Sequence, residues 1–178
     1  TKGGDLVNSV PADVRIETYV RAKTMEAIEA THKKVDTALK AGGDAVGAQT
    51  VIATMPGQLP LACNNRLNEL FVTNAKIAEP NVAVKDAGHF SASTDMGDVS
   101  HLLPVIHPFI GGVDGFLHTA DFHVVDFKHA VLLPAKAFAM MIIDLLADDA
   151  ELARQIKAEH HPLLTKEEYI AKLDKYFQ

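Results

Sequence analysis

The feature that most constrains the fold is a change of apolar period along the first 57 residues. Residues 13–21 alternate apolar and polar side chains, as a half-buried strand does. Between residues 25 and 39, apolar side chains recur every three or four positions, which predicts an amphipathic helix that ends at Gly42-Gly43. Residues 49–55 again suit a strand, stopped by the Pro56-Gly57 turn. Strand, helix and strand in this order predict a small α+β unit.

A second helix is predicted directly after this unit. Asn64 or Asn65 can accept a hydrogen bond at its first turn, and Pro80 must follow its end. Residues 82–84 and 102–110 are short apolar segments that suit strands, and a polar loop, 86–101, separates them.

The C-terminal third favours helices. Residues 127–146 are almost continuously apolar, and Pro134 should either kink this helix or mark its true first turn. Residues 151–160 continue the helical pattern. Thr165 and Glu168 have the spacing of a capping box, which predicts a last helix to residue 176.

Histidine and aspartate are concentrated in the middle of the chain. Six of the nine histidines lie between His89 and His129, together with five aspartates. Imidazole and carboxylate are common ligands of divalent metals. No glutamate occurs between Glu79 and Glu151, although a metal hydrolase commonly needs a carboxylate as general base. The pattern indicates part of a metal site without its base.

Composition bounds the alternatives. The chain has 17 basic and 23 acidic residues and no basic run, which argues against a nucleic-acid partner. No apolar run reaches the roughly 18 residues of a membrane span, so no membrane association is expected. The single cysteine, Cys63, excludes an internal disulfide and fits a reducing compartment. We therefore expect a cytoplasmic protein.

Three separated motifs resemble one family. They are KGGDLVNSVPADVRIETYVRA near the start, STDMGDVSHLLPVIHP followed by LHTADF in the middle, and a helix containing AKAFAMMIIDLL. In this order, over residues 2–146, they resemble the C-terminal part of dinuclear metal amidohydrolases and metallopeptidases. That family includes aminoacylases, carboxypeptidase G-type enzymes and p-aminobenzoyl-glutamate hydrolases.

The resemblance implies an α/β architecture in two parts. Residues 1–57 resemble part of a ferredoxin-like α+β lid that also dimerises. Residues 58–178 resemble the C-terminal segment of a metallopeptidase-type α/β catalytic domain. The larger part of that domain, with most metal ligands and the general base, is then expected upstream of Thr1.

The resemblance also assigns site residues. His118 matches the family's last metal ligand, although a lone histidine after a strand is more often a surface or core residue. Asn8 and Arg21 match an asparagine and an arginine of the lid that hold the substrate's carboxylate or the carbonyl near the metals. Arginine grips a carboxylate with two parallel donors, and an asparagine amide can polarise a carbonyl. The alternative is that Asn8 shapes a turn and Arg21 is a solvated strand end.

The loop before the histidine-rich segment has two interpretations. Ser93 and Thr94 match a Gly/Ser-rich loop that lines the family's active site, and they are expected to hold the substrate's distal carboxylate. Alternatively, one of them caps a helix, with Asp98 in its first turn. The family usually has glycine where this chain has Ala92.

The resemblance implies a metal-dependent hydrolase of small amides or peptides. Its substrate would carry a carboxylate beside the scissile bond, as in an N-acyl amino acid, a dipeptide or an aryl-glutamate. Two divalent ions are expected, zinc in the first place and manganese or cobalt as alternatives. A homodimer formed through the lid is the expected assembly. The alternative is a non-catalytic dimerisation or ligand-binding module without a complete metal site.

Overall fold

The structure is a computed structural model that describes residues 3–86, 88 and 92–175. The chain divides into two compact units, Thr1–Ala53 and Thr54–Gln178. The sequence places the boundary between residues 57 and 58. The identity of the units as lid and catalytic domain stays a prediction.

The first unit is built on one long helix, α1, Met25–Asp44. Thr24 caps it, and its hydroxyl accepts a hydrogen bond of 3.3 Å from the backbone of Ala27. The helix continues through Gly42-Gly43 and is followed by a left-handed residue, Gly47. A Cβ at Gly43 would lie 2.0 Å from the Thr50 hydroxyl, so the glycine lets the chain fold back onto the helix end. The predicted stop was therefore slightly early.

Neither segment predicted as a strand beside α1 forms one. Residues 13–21 contain a single isolated bridge at Arg15, and residues 49–55 have no regular structure. Val14 and Ile16, on the face expected to be buried, are 58% and 59% exposed. A strand is stabilised by hydrogen bonds to a neighbour, and the described residues of this unit supply no neighbouring ladder. The lid architecture itself stays a prediction.

The core of the second unit lies between helices α2, Asn65–Ala78, and α4, Leu133–Glu159. Asn64 caps α2 as predicted, accepting a 3.0 Å bond from Leu67, and the helix ends before Pro80. The rings of Phe71 and Phe138 lie 4.8 Å apart across this interface. The buried core cluster consists of Leu67, Phe71, Ala75, Ala137, Met141 and Ile156.

Helix α4 is not continuous. A π-helical turn, Lys128–Leu132, leads into it, and Pro134 lies in its first turn, which was one of the two predicted alternatives. The backbone leaves the helical conformation at Ala147, Asp148, Asp149 and Ala150. The helical pieces on either side of this break correspond to the two segments that the sequence predicts.

Three short elements complete the unit. Helix α3, Met96–Ser100, lies inside the predicted polar loop. Strands β1, Val113–Asp114, and β2, His123–Val124, form an antiparallel hairpin that the sequence did not predict. Residues 82–84 and 102–110 are not strands, since the described chain offers them no partner strand. Helix α5, Lys166–Asp174, has the predicted capping box of Thr165 and Glu168, while its predicted end at residue 176 lies outside the described residues.

Within the described chain, the helical segment Lys128–Glu159 is long and apolar enough to cross a membrane by length and composition. The core helix of a soluble protein passes the same test. The buried face of this helix packs against α2.

Candidate functional site

Helix α3 and its C-cap hold residues 59–62 through three residues, here called the α3 clamp: Gly97, Ser100 and His101. A Cβ at Gly97 would lie 1.9 Å from the carbonyl oxygen of Leu59, so only glycine permits this approach. The Ser100 hydroxyl accepts a 3.0 Å bond from the Ala62 amide and donates a 2.6 Å bond to the Gly97 carbonyl.

His101 completes the α3 clamp. Its Nε2 lies 2.9 Å from the carbonyl oxygen of Pro60 and donates to it, because a carbonyl can only accept. The side chain is 5% exposed, and its own carbonyl accepts a 3.0 Å bond from Leu164. His101 is therefore a buried residue that supports the fold.

Ser93 and Thr94 lie just before α3. The Thr94 hydroxyl is 3.2 Å from the Asp95 carboxylate and 3.4 Å from the Met96 amide, so it takes part in local bonds at the helix start. The N-cap residue of α3 is Asp95, whose side chain makes no capping bond, so the predicted cap at Ser93 or Thr94 was wrong. Ser93 is exposed and makes no hydrogen bond with the described part of the chain. Ser91, another member of the predicted loop, lies outside the described residues.

Tyr169 of α5 interacts with Asp98 of α3. Partial burial raises the pKa of Tyr169, and the nearby Asp98 carboxylate raises it further through repulsion of the phenolate and a hydrogen bond. Asp98 lies in the first turn of α3, where a carboxylate is favourable. Helix α5 is thus connected to the loop that contains Ser93 and Thr94.

His118 lies in the turn of the β1–β2 hairpin. Its φ is 67°, in the left-handed region that non-glycine residues rarely adopt. Thr119 fixes the turn through two bonds to the Phe116 carbonyl, 3.2 Å from its amide and 2.6 Å from its hydroxyl. The imidazole is exposed and makes no hydrogen bond with any described residue. Neither ring nitrogen is therefore engaged by a described residue.

Two glycines, Gly112 and Gly115, allow close backbone contacts within the hairpin that contains His118. Gly115 has φ 86°, and a Cβ there would lie 2.5 Å from the Asp121 carbonyl oxygen. Gly112 has φ 90°, and its carbonyl accepts 3.0 Å bonds from Val125 and Asp126. The Asp114-Gly115 pair is a common turn signal and could have revealed the hairpin in the sequence.

The hairpin base is joined to α2 and α4 by charged groups. The Asp126 carboxylate accepts from His129 Nδ1 at 2.5 Å and from the His129 amide at 3.2 Å, which lowers the pKa of Asp126. Lys128 forms an ion pair with Glu79 at the end of α2, and the ammonium lowers the pKa of that carboxyl. His129 therefore anchors the start of the helix.

Asp114 and Asp121 stabilise the backbone of the hairpin through local hydrogen bonds. Hydrogen bonding at the Thr119 side chain and in the backbone of the turn lowers the pKa of Asp121. His123 Nδ1 lies 2.6 Å from the Asp121 carbonyl oxygen, and Asp114 accepts a 2.9 Å bond from Gly115. His123 is therefore part of the hairpin turn.

His118 fits a metal ligand in its exposure and its open nitrogens, but it has no companions. Among the described residues, no group of three or more histidine, cysteine, aspartate or glutamate side chains could hold a metal ion. His118 can supply one ligand of a site. A complete site would need ligands from beyond the described residues.

Asn8 and Arg21 belong to the first unit. Asn8 is exposed in a turn, as predicted. The guanidinium of Arg21 lies 4.9 Å from the centre of the Tyr19 ring, close enough for a cation–π interaction. Arg21 is not at a strand end, because residues 13–21 form no strand.

One buried polar contact was missed by the sequence analysis. Asn74, 2% exposed, donates from Nδ2 to the Leu70 carbonyl at 3.1 Å and to the Asp144 carboxylate at 2.7 Å. It joins α2 to α4. No sequence signal reveals it, because Asp144 is 70 residues away.

Curated relatives share the sequence of this chain over most of its length. Xaa-Arg dipeptidase of Mus musculus is 29% identical over 158 residues, which are 84% of this chain and 37% of that protein. Xaa-Arg dipeptidase of Homo sapiens is 25% identical over 176 residues, 94% of this chain and 40% of that protein. The chain thus spans about two fifths of the length of these relatives.

No family model and no solved structure matches the chain. The similarity to the two dipeptidases supports a relation to peptidases or amidohydrolases and suggests hydrolytic activity.

Proposed function

We propose that the complete protein is a metal-dependent amidohydrolase or peptidase. It cleaves an amide bond beside a carboxylate, and this chain supplies its lid residues and one metal ligand. The observation that carries the proposal is the geometry of His118. This histidine is held left-handed at the tip of a hairpin, with its imidazole open to solvent.

The strained backbone at His118 favours a functional role. A non-glycine residue in this conformation costs about 1–3 kcal/mol, and such residues concentrate at functional sites. Asparagine or glycine would occupy the same turn at lower cost. Histidine adopts this conformation more often than most other non-glycine residues, so the turn and a ligand role are compatible at position 118.

The other proposed site residues of this chain bind and orient the substrate; they are Asn8, Arg21, Ser93 and Thr94. When bound, two divalent ions, zinc in the first place and manganese or cobalt as alternatives, supply the activation of the attacking water. Arg21 grips the substrate carboxylate, and the Asn8 amide polarises the scissile carbonyl. Ser93 offers a hydroxyl that is not engaged by described residues, and Thr94 can turn its hydroxyl from its weak local bonds to the distal carboxylate.

The similarity to two Xaa-Arg dipeptidases makes a dipeptide with C-terminal arginine the first substrate to test. N-acyl amino acids and aryl-glutamates come next, because they carry the same amide-carboxylate arrangement. We also propose that the protein is cytoplasmic and forms a homodimer through its first unit.

The second candidate is a non-catalytic dimerisation or ligand-binding module. The observation that favours it is the lack of a complete metal site among the described residues. This candidate predicts that the natural polypeptide binds small carboxylates or dimerises without hydrolysing amides.

A substrate panel separates the two candidates. The natural polypeptide that contains this sequence is chelated, reloaded with zinc and mixed with an Xaa-Arg dipeptide, an N-acyl amino acid and an aryl-glutamate. Release of free amine that disappears on chelation and returns with zinc supports the hydrolase. Absence of release from every substrate after zinc loading contradicts it and favours the module.

A further inference from the structure

The break in α4 is built from residues that do not suit it. Asp148, Asp149 and Ala150 all have positive φ, at 49°, 59° and 59°. The left-handed conformation is visited routinely by glycine and occasionally by asparagine or aspartate, but by single residues rather than three in a row, and alanine at position 150 suits it least. No glycine or proline occurs between residues 135 and 161. The local sequence therefore favours a continuous helix through the break.

Long-range contacts hold the break in place. Residues 151–175, here called the arm, pack against the body of the second unit, residues 54–146. Ile156 of the arm is 4% exposed in the core cluster. Glu159 accepts a 2.6 Å bond from Arg66, and the Leu164 amide donates to the His101 carbonyl at 3.0 Å. These contacts hold the arm on its own body, although the local sequence of residues 147–150 favours a continuous helix.

A second copy of this chain allows residues 147–150 to become helical while the contacts of the arm are kept. If residues 147–150 become helical, the 27 residues of α4 extend over about 40 Å, and the arm leaves its own body. The arm's contacts are then available only on another molecule. Exchange of identical arms between two copies restores every one of them and removes the left-handed turn.

We propose that this chain forms a domain-swapped dimer by straightening α4 at residues 147–150 and exchanging the arm. Apolar residues next to the break suit the new contact that the straightened helices create. Ile142, Ile143 and Leu146 are 55%, 66% and 63% exposed in the unswapped chain. The proposal does not depend on the hydrolase activity, and its dimer differs from the one expected through the first unit.

The first experiment changes the turn alone. The 178-residue chain is unfolded, refolded over a range of concentrations and analysed by sedimentation. Ala150→Gly relieves a left-handed residue in each of two chains, so the dimer Kd is expected to rise by about 30-fold. Ala158→Gly is the matched control, because Ala158 is exposed and helical in both states, and its Kd should match that of the unsubstituted chain. An equal Kd for Ala150→Gly and Ala158→Gly, or no dimer at any concentration, overturns the proposal.

The second experiment asks whether the arm is exchanged. Arg66→Glu and Glu159→Arg each place like charges across the contact between arm and body. When the two variants are refolded together, only a swapped heterodimer has opposite charges at both contacts. Native mass spectrometry is expected to show heterodimers several-fold above the statistical 1:2:1 ratio, and less so at high salt. A statistical ratio means that the arm stays on its own body and contradicts the exchange.

Discussion

At the scale of single residues, the sequence revealed local roles and missed distant ones. Asn64 and Thr165 could be recognised as caps because their partners lie three residues away. The roles of His101 and Asn74 depend on Pro60 and on Asp144, 41 and 70 residues away. No periodicity encodes such contacts. The histidine-rich segment therefore looked more uniformly functional than the structure shows it to be.

Gly97 is expected to be the glycine of α3 that tolerates no side chain. Gly97→Ala brings a Cβ to within 1.9 Å of the Leu59 carbonyl oxygen, so the backbone of residues 59–62 must move. We expect the free energy of unfolding to fall by about 2–3 kcal/mol. Gly111→Ala is the control, because a Cβ there meets nothing within 4 Å and φ is not positive. Equal chemical denaturation midpoints for the two variants would show that α3 does not clamp residues 59–62.

Histidine at position 118 is expected to give the folded chain no more stability than asparagine would. Asparagine tolerates φ of 67° better than histidine, so His118→Asn should leave the melting temperature unchanged or raise it slightly. His118→Val places a β-branched residue there and should lower the free energy of unfolding by about 1–2 kcal/mol. Thermal unfolding of both variants measures this. A large loss of stability in His118→Asn would mean that the imidazole serves the fold.

At the scale of elements, helices were predicted well and strands were not. Helices α2 and α5 carry their own capping residues and apolar faces, so a local reading is sufficient. The segments 13–21 and 49–55 have the pattern of strands but find no ladder within the described unit. An alternating pattern indicates that a segment suits a strand, but the strand forms only when a neighbouring strand packs against it and supplies hydrogen bonds. The break in α4 shows the reverse case, in which packing of Ile156 overrides local helical preference.

The capping box of α5 predicts a pH dependence. Hydrogen bonds from the Thr165 amide and hydroxyl lower the pKa of Glu168 from its ordinary 4.5 in the folded chain. Because the folded pKa is the lower one, this stabilisation is complete above pH 4.5 and is lost as pH falls through the folded value. Glu168→Gln does not titrate, so its unfolding free energy should fall less steeply with acid. Glu167→Gln removes the same charge outside the box and is the control. Identical acid profiles for both variants would exclude this contribution.

At the scale of the whole molecule, the chain exposes more surface than its size requires. Its accessible surface is 13350 Å². Two separate compact domains of these lengths would expose about 10,000 Å² together. The chain's exposed apolar side chains include Leu6, Val7 and Val10 of the first unit. Such surface is expected to be covered by further protein, either a second copy or a longer polypeptide like the relatives.

The proposed metal site makes a prediction for the complete protein. Chelation should lower the melting temperature of the natural polypeptide that contains this sequence, and zinc should restore it, because a ligand that binds the folded state stabilises that state. A sample of the 178-residue chain alone is the control and should show no such shift, since its described residues form no complete site. A zinc-dependent shift in the short chain would show that it holds a site by itself.

The most direct test of the account is the metal content of the natural polypeptide with and without His118. Zinc per chain is measured by elemental mass spectrometry after chelation and reloading, alongside hydrolysis of an Xaa-Arg dipeptide. The account predicts two ions in the unsubstituted protein and in His123→Asn, and loss of at least one ion in His118→Asn together with most of the activity. Two tightly held ions and full activity in His118→Asn would contradict the central claim that His118 is a metal ligand.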